Sequence, residues 1–146
     1  MFNILANHFS LPAISFLDLF AGTGNISYEA ASRGCTDVIA VDQEYKCTGF
    51  IKSTASDLGM KGLQVVKSDA YTYLQGLNRT FDIIFADPPY MSPETADVHQ
   101  IVFERNLLNK GGFLIIEHGN DEKFNHLQYL KDKREIGNVN FTIFNA

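Results

Sequence analysis

Three observations predict an α/β domain with a mostly parallel sheet of about seven strands and helices on both faces. Short apolar runs recur along the chain, segments long enough for a helix separate most of them, and a glycine-containing turn follows the first run at once.

Phe2–Phe9 reads as a helix leading almost directly into the first strand, Ser15–Phe20. Further strands are expected at Asp37–Asp42, Leu63–Ser68, Phe81–Ala86 and Gly112–His118. Each run is apolar enough to be buried on both faces, as strands of a parallel sheet are. Helices fit between them at Asn25–Arg33, Glu44–Leu58, Ala70–Leu77 and Thr95–Leu108. Right-handed crossovers through those helices keep the strands parallel. Gly34, Gly59 and Gly76 lie at or near three helix ends, where a left-handed cap costs glycine least. The tail changes pattern. Leu127–Ile136 and Asn138–Phe144 leave no room for a helix, and Gly137-Asn138 is a turn signal, so a hairpin is expected to close the sheet with an antiparallel edge. No repeat or linker interrupts the chain, which reads as a single domain over 1–146.

The 146 residues are 45% hydrophobic and include twelve Phe and six Tyr, which excludes disorder and suffices for a core without disulfides. No run approaches the ~18 apolar residues of a membrane span. Asn3, Asn7 and His8 interrupt the start where a signal peptide would be continuously apolar, so a cytoplasmic chain is expected. Cys35 and Cys47 are too few for a disulfide framework and read as buried or half-buried thiols; the four histidines lack metal-ligand spacing, so no metal is expected. The net charge of −5 is not the footprint of an autonomous nucleic-acid binder, and the group Lys131, Lys133 and Arg134 fits a solvated face.

Chemistry concentrates in the turns after the strands. Asp18-Leu19-Phe20-Ala21-Gly22-Thr23-Gly24-Asn25 follows the first strand, and Gly22 and Gly24 permit a tight turn with close approach of a ligand to bare backbone. The third glycine of a dinucleotide fingerprint is replaced by Ser27. A carboxylate at Asp18 repels a pyrophosphate but suits a cationic group, such as the ammonium and sulfonium of S-adenosylmethionine; an ordinary turn with Asp18 in a polar network is the alternative. Asp42, followed by Gln43 at the end of the second strand, is placed to accept from the hydroxyls of a ribose, or to cap the next helix. Asp69, before Ala70, fits two roles equally: acceptor for an adenine amine, or helix cap.

Asp87-Pro88-Pro89-Tyr90 follows the fourth strand. Two prolines make a rigid, non-helical corner that can present the Asp87 carboxylate and the Pro88 carbonyl to one point. Two acceptors gripping the N–H groups of a planar exocyclic amine favour its pyramidal form and aim its lone pair. Tyr90 can stack on the base, a contact worth about 1–3 kcal/mol.

FLDLFAGTGN, VIAVD, SDA and FDIIFADPPY together resemble a Rossmann-like class I S-adenosylmethionine-dependent methyltransferase of the amino-methylating type. FNIL, DLFAGTGNISYEAASRG, DPPY and the late IIEH resemble, more narrowly, the RsmD family, which methylates N2 of a guanine in bacterial 16S ribosomal RNA. The likeness runs from about Phe2 to the last strand. It implies a monomeric cytoplasmic enzyme acting on 16S ribosomal RNA or the small ribosomal subunit particle, with S-adenosyl-L-homocysteine as product. It also implies that Asp18 to Asn25 hold the methionine part, Asp42 the ribose and Asp69 the adenine amine, while Asp87 with Pro88 grips the target amine and Tyr90 the base. DPPY is shared with methyltransferases of adenine N6, cytosine N4 and glutamine N5, so action on DNA or a protein glutamine is the alternative enzyme reading. Relatives carry a basic N-terminal hairpin that grips RNA, and Met1 precedes the first helix directly here. A cofactor-binding core with weakened RNA affinity is therefore also expected. Ser27, where relatives commonly have glycine, is expected to touch helix packing more than the cofactor.

Overall fold

The computed structural model describes residues 1–89, 95–119, 127–136 and 139–146. After helix α1 (Phe2–His8) and a 3-10 turn at Leu11–Ala13, strand and helix alternate. Strand β1 (Ser15–Leu19) leads to α2 (Asn25–Ser32), β2 (Asp37–Asp42) to α3 (Tyr45–Asp57), and β3 (Leu63–Lys67) to α4 (Ala70–Gly76). The second half runs β4 (Phe81–Ala86), α5 (Thr95–Glu104), β5 (Leu108–His118), β6 (Leu130–Ile136) and β7 (Val139–Asn145). One seven-stranded sheet results, ordered β3-β2-β1-β4-β5-β7-β6. β1 to β5 pair in parallel, whereas β7 pairs antiparallel with both β5 and β6.

Every residue of β1 and all but one of β4 are buried, as befits the two central strands of a sheet covered on both faces. On one face Phe16, Val38, Ala40, Ile83, Phe85 and Ile115 pack under α1, α2 and α3, represented by Leu5, Ala30 and Ile51. On the other, Leu17, Val41, Ile84, Leu114 and Ile116 meet Leu74 of α4 with Val98 and Val102 of α5. Of the expected helix-end glycines, Gly34 and Gly59 are left-handed, at φ +103° and +66°. Gly76 is instead the last residue of α4, which an extended Leu77 ends.

The departures from expectation lie where a residue turns left-handed outside glycine. Asn106, at φ +53°, ends α5 before Leu107, so Leu108 joins β5, four residues earlier than the apolar run indicated. Tyr129, at φ +66°, stacks on Phe103 with ring centroids 4.3 Å apart, and β6 begins after it at Leu130 rather than at Leu127. The hairpin places β7 inside the sheet and leaves β6 at the edge; its expected Gly137-Asn138 turn lies outside the described residues. Cys35 is buried, its thiol donating to the Leu11 carbonyl at 2.9 Å, and Cys47 is half-buried. No helix among the described residues is long and apolar enough to cross a membrane.

A polar joint ties β1, β4 and β5 at the end of the sheet remote from the turns. Asp82 Oδ2 accepts from the Ser15 amide at 2.8 Å and the Ser15 hydroxyl at 3.1 Å, and Oδ1 accepts from Asn109 at 2.9 Å. Burial pushes the Asp82 carboxyl up, but the hydrogen bonds from Ser15 and Asn109 outweigh it and hold the carboxyl below its ordinary range. A carboxyl that binds its proton less tightly when folded stabilises the fold above the unfolded pKa, and that contribution fades as acid protonates it. Asp82→Ala is expected to cost about 1–3 kcal/mol in urea denaturation at pH 7, with the difference from the native chain shrinking as the pH is lowered below about 4.

Candidate functional site

Strand order reverses direction between β1 and β4, and the C-terminal ends of the strands flanking such a switch point leave an open crevice. The turn after β1 forms its floor. Phe20 is left-handed at φ +58°, a conformation uncommon for a bulky residue, and stops the strand. Gly22 and Gly24 follow at φ +57° and +91°. A Cβ on Gly24 would stand 2.8 Å from the Tyr28 ring and 3.0 Å from Ile51, so the turn lies flat on α2 and α3 only without a side chain there. The Ala21 amide donates to the Val41 carbonyl and the Gly24 amide to that of Ala21, both at 2.9 Å.

Asp42 braces this turn. Its Oδ2 accepts from the Gly22 amide and its Oδ1 from the Glu44 amide, each at 2.8 Å. Glu44, not Asp42, precedes the first residue of α3, so the expected capping alternative for Asp42 is replaced by a bond across the crevice floor. Asp69 does cap α4: its Oδ2 accepts from the Thr72 amide at 2.9 Å and the Thr72 hydroxyl at 3.0 Å. Its Oδ1 has no donor among the described residues.

Between these turns lies a crevice of about 380 Å³, within the range of small-molecule sites. Phe20, Asp42, Gln43, Asp69, Ala70, Asp87 and Pro89 line it, all expected from sequence. Thr23 and Asn25 are exposed but outside the lining, Pro88 is buried, and Tyr90 lies outside the described residues. Val41, Glu44, Cys47, Ser68 and Tyr71 join the wall unforeseen. Tyr71 follows Ala70 in the first turn of α4 and meets the Phe20 ring edge-on, centroids 5.8 Å apart; an aromatic directly after the Asp69-Ala70 pair was the available signal.

Asp18 is not in the wall but beneath the turn, 1% exposed, and the Ser27 hydroxyl donates to its Oδ2 at 2.6 Å. Ser27, expected to bear on helix packing, is buried in α2 and also hydrogen-bonds the carboxyl beneath the turn. Burial raises the Asp18 carboxyl to about 7 against the pull of the Ser27 hydrogen bonds, with the charges of Asp87 and Asp42 adding to the rise. Burial also raises Asp87. Beyond it, Glu117 at the end of β5 is raised to about 7 by burial and by the Asp87 charge.

The lining suits a nucleoside carrying a cationic tail. Four carboxylates (Asp42, Glu44, Asp69, Asp87) and two aromatic rings face it, and among the described residues no lysine or arginine does, which disfavours a pyrophosphate. The Tyr28 hydroxyl, packed on Gly24, is buried without a partner among the described residues, a donor available beneath the turn.

A family model described as Conserved hypothetical protein 95 matches residues 1–145. The chain belongs to that family. The RsmD resemblance of the motifs points to the same group. YlbH of Bacillus subtilis, provisionally named an rRNA methyltransferase, is 36% identical over 106 residues, covering 70% of this chain and 58% of its own. Ribosomal RNA small subunit methyltransferase D of Buchnera aphidicola is 26% identical over 120 residues, covering 82% of this chain and 61% of its own. The chain thus spans about three-fifths of the length of these curated relatives. Among solved structures, a provisionally named methylase from Haemophilus influenzae superposes with a TM-score of 0.86 at 21% identity, covering 99% of this chain and 92% of that one. An RNA methyltransferase from Salinibacter ruber, in complex with S-adenosyl-L-homocysteine, does so at 0.77 and 12% identity, covering 98% and 87%. The fold is that of the class I methyltransferases.

The raised Asp18 carboxyl carries a stability signature. A carboxyl that holds its proton more tightly when folded favours the fold in acid, and that contribution is lost as the pH rises from about 4 through about 7. Asp18→Asn keeps an acceptor for the Ser27 hydroxyl without the buried charge. It is expected to be more stable than the native chain by about 2 kcal/mol at pH 8, with the gain vanishing near pH 4, in paired denaturant titrations.

Proposed function

We propose that the chain transfers a methyl group from S-adenosylmethionine to the exocyclic N2 amine of a guanine in 16S ribosomal RNA, presented as RNA or as the small ribosomal subunit particle. The observation that carries this is the meeting of the acidic, nucleoside-sized crevice with the Asp87-Pro88-Pro89 corner at its rim. Membership of the family, and the names borne by YlbH and methyltransferase D, support an RNA acceptor.

In this reading the backbone from Asp18 to Asn25 receives the methionine part, and the buried Asp18 carboxylate faces its positive charge. Asp42 accepts from the ribose hydroxyls with the lone pairs left by Gly22 and Glu44. Asp69 meets the adenine amine through Oδ1, and Phe20 with Tyr71 bounds the base. When bound, the cofactor supplies an electrophilic methyl group on a sulfonium, and it leaves as S-adenosyl-L-homocysteine.

Asp87 and the Pro88 carbonyl supply what the acceptor needs. The amine lone pair is delocalised into the ring, so the nitrogen is a poor nucleophile until its N–H groups are held out of plane. A carboxylate and a carbonyl fixed by two prolines accept those N–H groups and direct the lone pair outward, with little to reorganise during the reaction. Tyr90 stacks on the base. The nitrogen sheds one proton as it gains the methyl group, and the Asp87 carboxyl, raised by burial, is suited to take it.

Asp87→Ala is expected to lower transfer of labelled methyl to undermethylated small-subunit particles by at least about a hundredfold while changing the calorimetric affinity for S-adenosylmethionine less than about threefold. Equal losses in both would remove the gripping role, and a native chain that binds the cofactor but labels no ribosomal RNA would remove the substrate.

A further inference from the structure

The carboxylate next to Asp87 has no hydrogen-bond or ion-pair partner among the described residues. Asp87 directly follows Ala86, and Ala86 pairs in register with Ile116 of the neighbouring parallel strand, so Glu117 stands beside Asp87 one strand further out. The pleat sends both to one face of the sheet. Ile83 and Phe85 on β4, and Phe113 and Ile115 on β5, share a core layer two and four residues before Asp87 and Glu117 respectively. Glu117 is half-buried and electrostatically coupled to Asp87. Among the described residues, no donor reaches either carboxyl. Glu117 is half-buried and Asp87 stands at the exposed rim, so two like charges lie side by side, an arrangement that a ligand bringing N–H donors would relieve.

The side from which such a ligand comes follows from the strand order. The crevice lies over β1, β2 and the turn before α4, on one side of Asp87, and Glu117 lies on the other. An acceptor that offers its amine to Asp87 from outside the crevice therefore lies over Glu117. Neighbouring strands run about 4.8 Å apart, within reach of one base edge for two side chains.

We propose that Glu117 is the specificity residue for the acceptor base, accepting the N1–H of guanine while Asp87 and Pro88 hold the N2 amine; this rests on the proposed methyl transfer. Guanine presents adjacent N1–H and N2–H donors on its Watson–Crick edge. Adenine and cytosine place a ring-nitrogen lone pair next to their amines, which an ionised Glu117 repels. A single carboxylate gripping an amine cannot distinguish the three bases; a second one at this position can. Discrimination is strongest with Glu117 ionised, hence above about pH 7.

The test compares guanine with 2-aminopurine, which keeps the C2 amine but carries a lone pair at N1. After digestion of labelled product locates the methylated nucleotide, two ribosomal RNA fragments are made, one with guanine and one with 2-aminopurine at that site. At pH 8 the native chain is expected to favour guanine by about ten- to a hundredfold, both in kcat/KM and in fragment binding with S-adenosyl-L-homocysteine present. Glu117→Gln, which removes the charge at constant size, should reduce the preference to within about threefold and leave cofactor affinity unchanged. Native discrimination retained in Glu117→Gln would overturn the proposal, as would a native chain indifferent to the two fragments or a parallel loss of cofactor affinity. Should Glu117→Gln not fold, the native preference is measured between pH 6 and pH 8: a rise through about pH 7 supports the ionised Glu117, and a flat profile overturns the proposal. Absence of any methylated guanine overturns the reaction itself, a result distinct from these.

Discussion

The site depends on a geometric constraint, the pleat of a buried parallel sheet. Alternate side chains of β1, β2, β4 and β5 point to one face, and the apolar ones among them are locked in a core layer with α1, α2 and α3. The parallel register brings the strand ends into line, so the next residue of the same parity on each strand emerges at one edge. Those residues are Asp42, Asp18, Asp87 and Glu117, in the spatial order β2, β1, β4, β5. A slip of one residue in any strand would send its carboxylate to the opposite face, and burial of the intervening residues prevents it. The precision of the row comes from the core.

Setting like charges side by side at the edge of a core is destabilising, and the carboxyls show it. Asp18 and Glu117 are raised to about 7, and Asp87 is raised as well, with burial the leading cause in each case. Of these three, Asp18 alone has a donor among the described residues, the Ser27 hydroxyl. By contrast Asp82, at the opposite end of β4, is satisfied by Ser15 and Asn109 and lies below its ordinary range. The two ends of one strand thus differ: Asp82 ties strands together, whereas Asp87 has no donor among the described residues. Titratable groups shifted by burial and by one another are concentrated at this edge of the sheet.

Much of this was legible in the chain. The apolar runs located five parallel strands because strands buried on both faces leave no polar interruptions, and the Asp37–Asp42 and Phe81–Ala86 boundaries match those read from sequence. Glycines separated by one residue after a buried strand located the turn, since only such a turn lies flat on α2 and α3. The start of β5 was hidden because Asn106 and the glycine pair Gly111-Gly112 read as loop, whereas the backbone passes through them by a left-handed residue and a register shift. The bond from Ser27 to Asp18 could not be read because nothing along the chain shows that its hydroxyl faces a carboxylate nine residues earlier.

The sequence by itself determined the mostly parallel α/β class with its antiparallel edge, the acidic glycine turn, the proline corner and the family, because these depend on residues close together or on periodicity. Tertiary structure alone decided which carboxylates share an edge, which are buried, and which meet a donor among the described residues. Asp18, Asp87 and Glu117 are far apart in the chain, and their coupling arises only when β1, β4 and β5 lie side by side in a fixed register. Protonation and partnership are properties of that neighbourhood, set by lost water and nearby charge, and no single residue carries them.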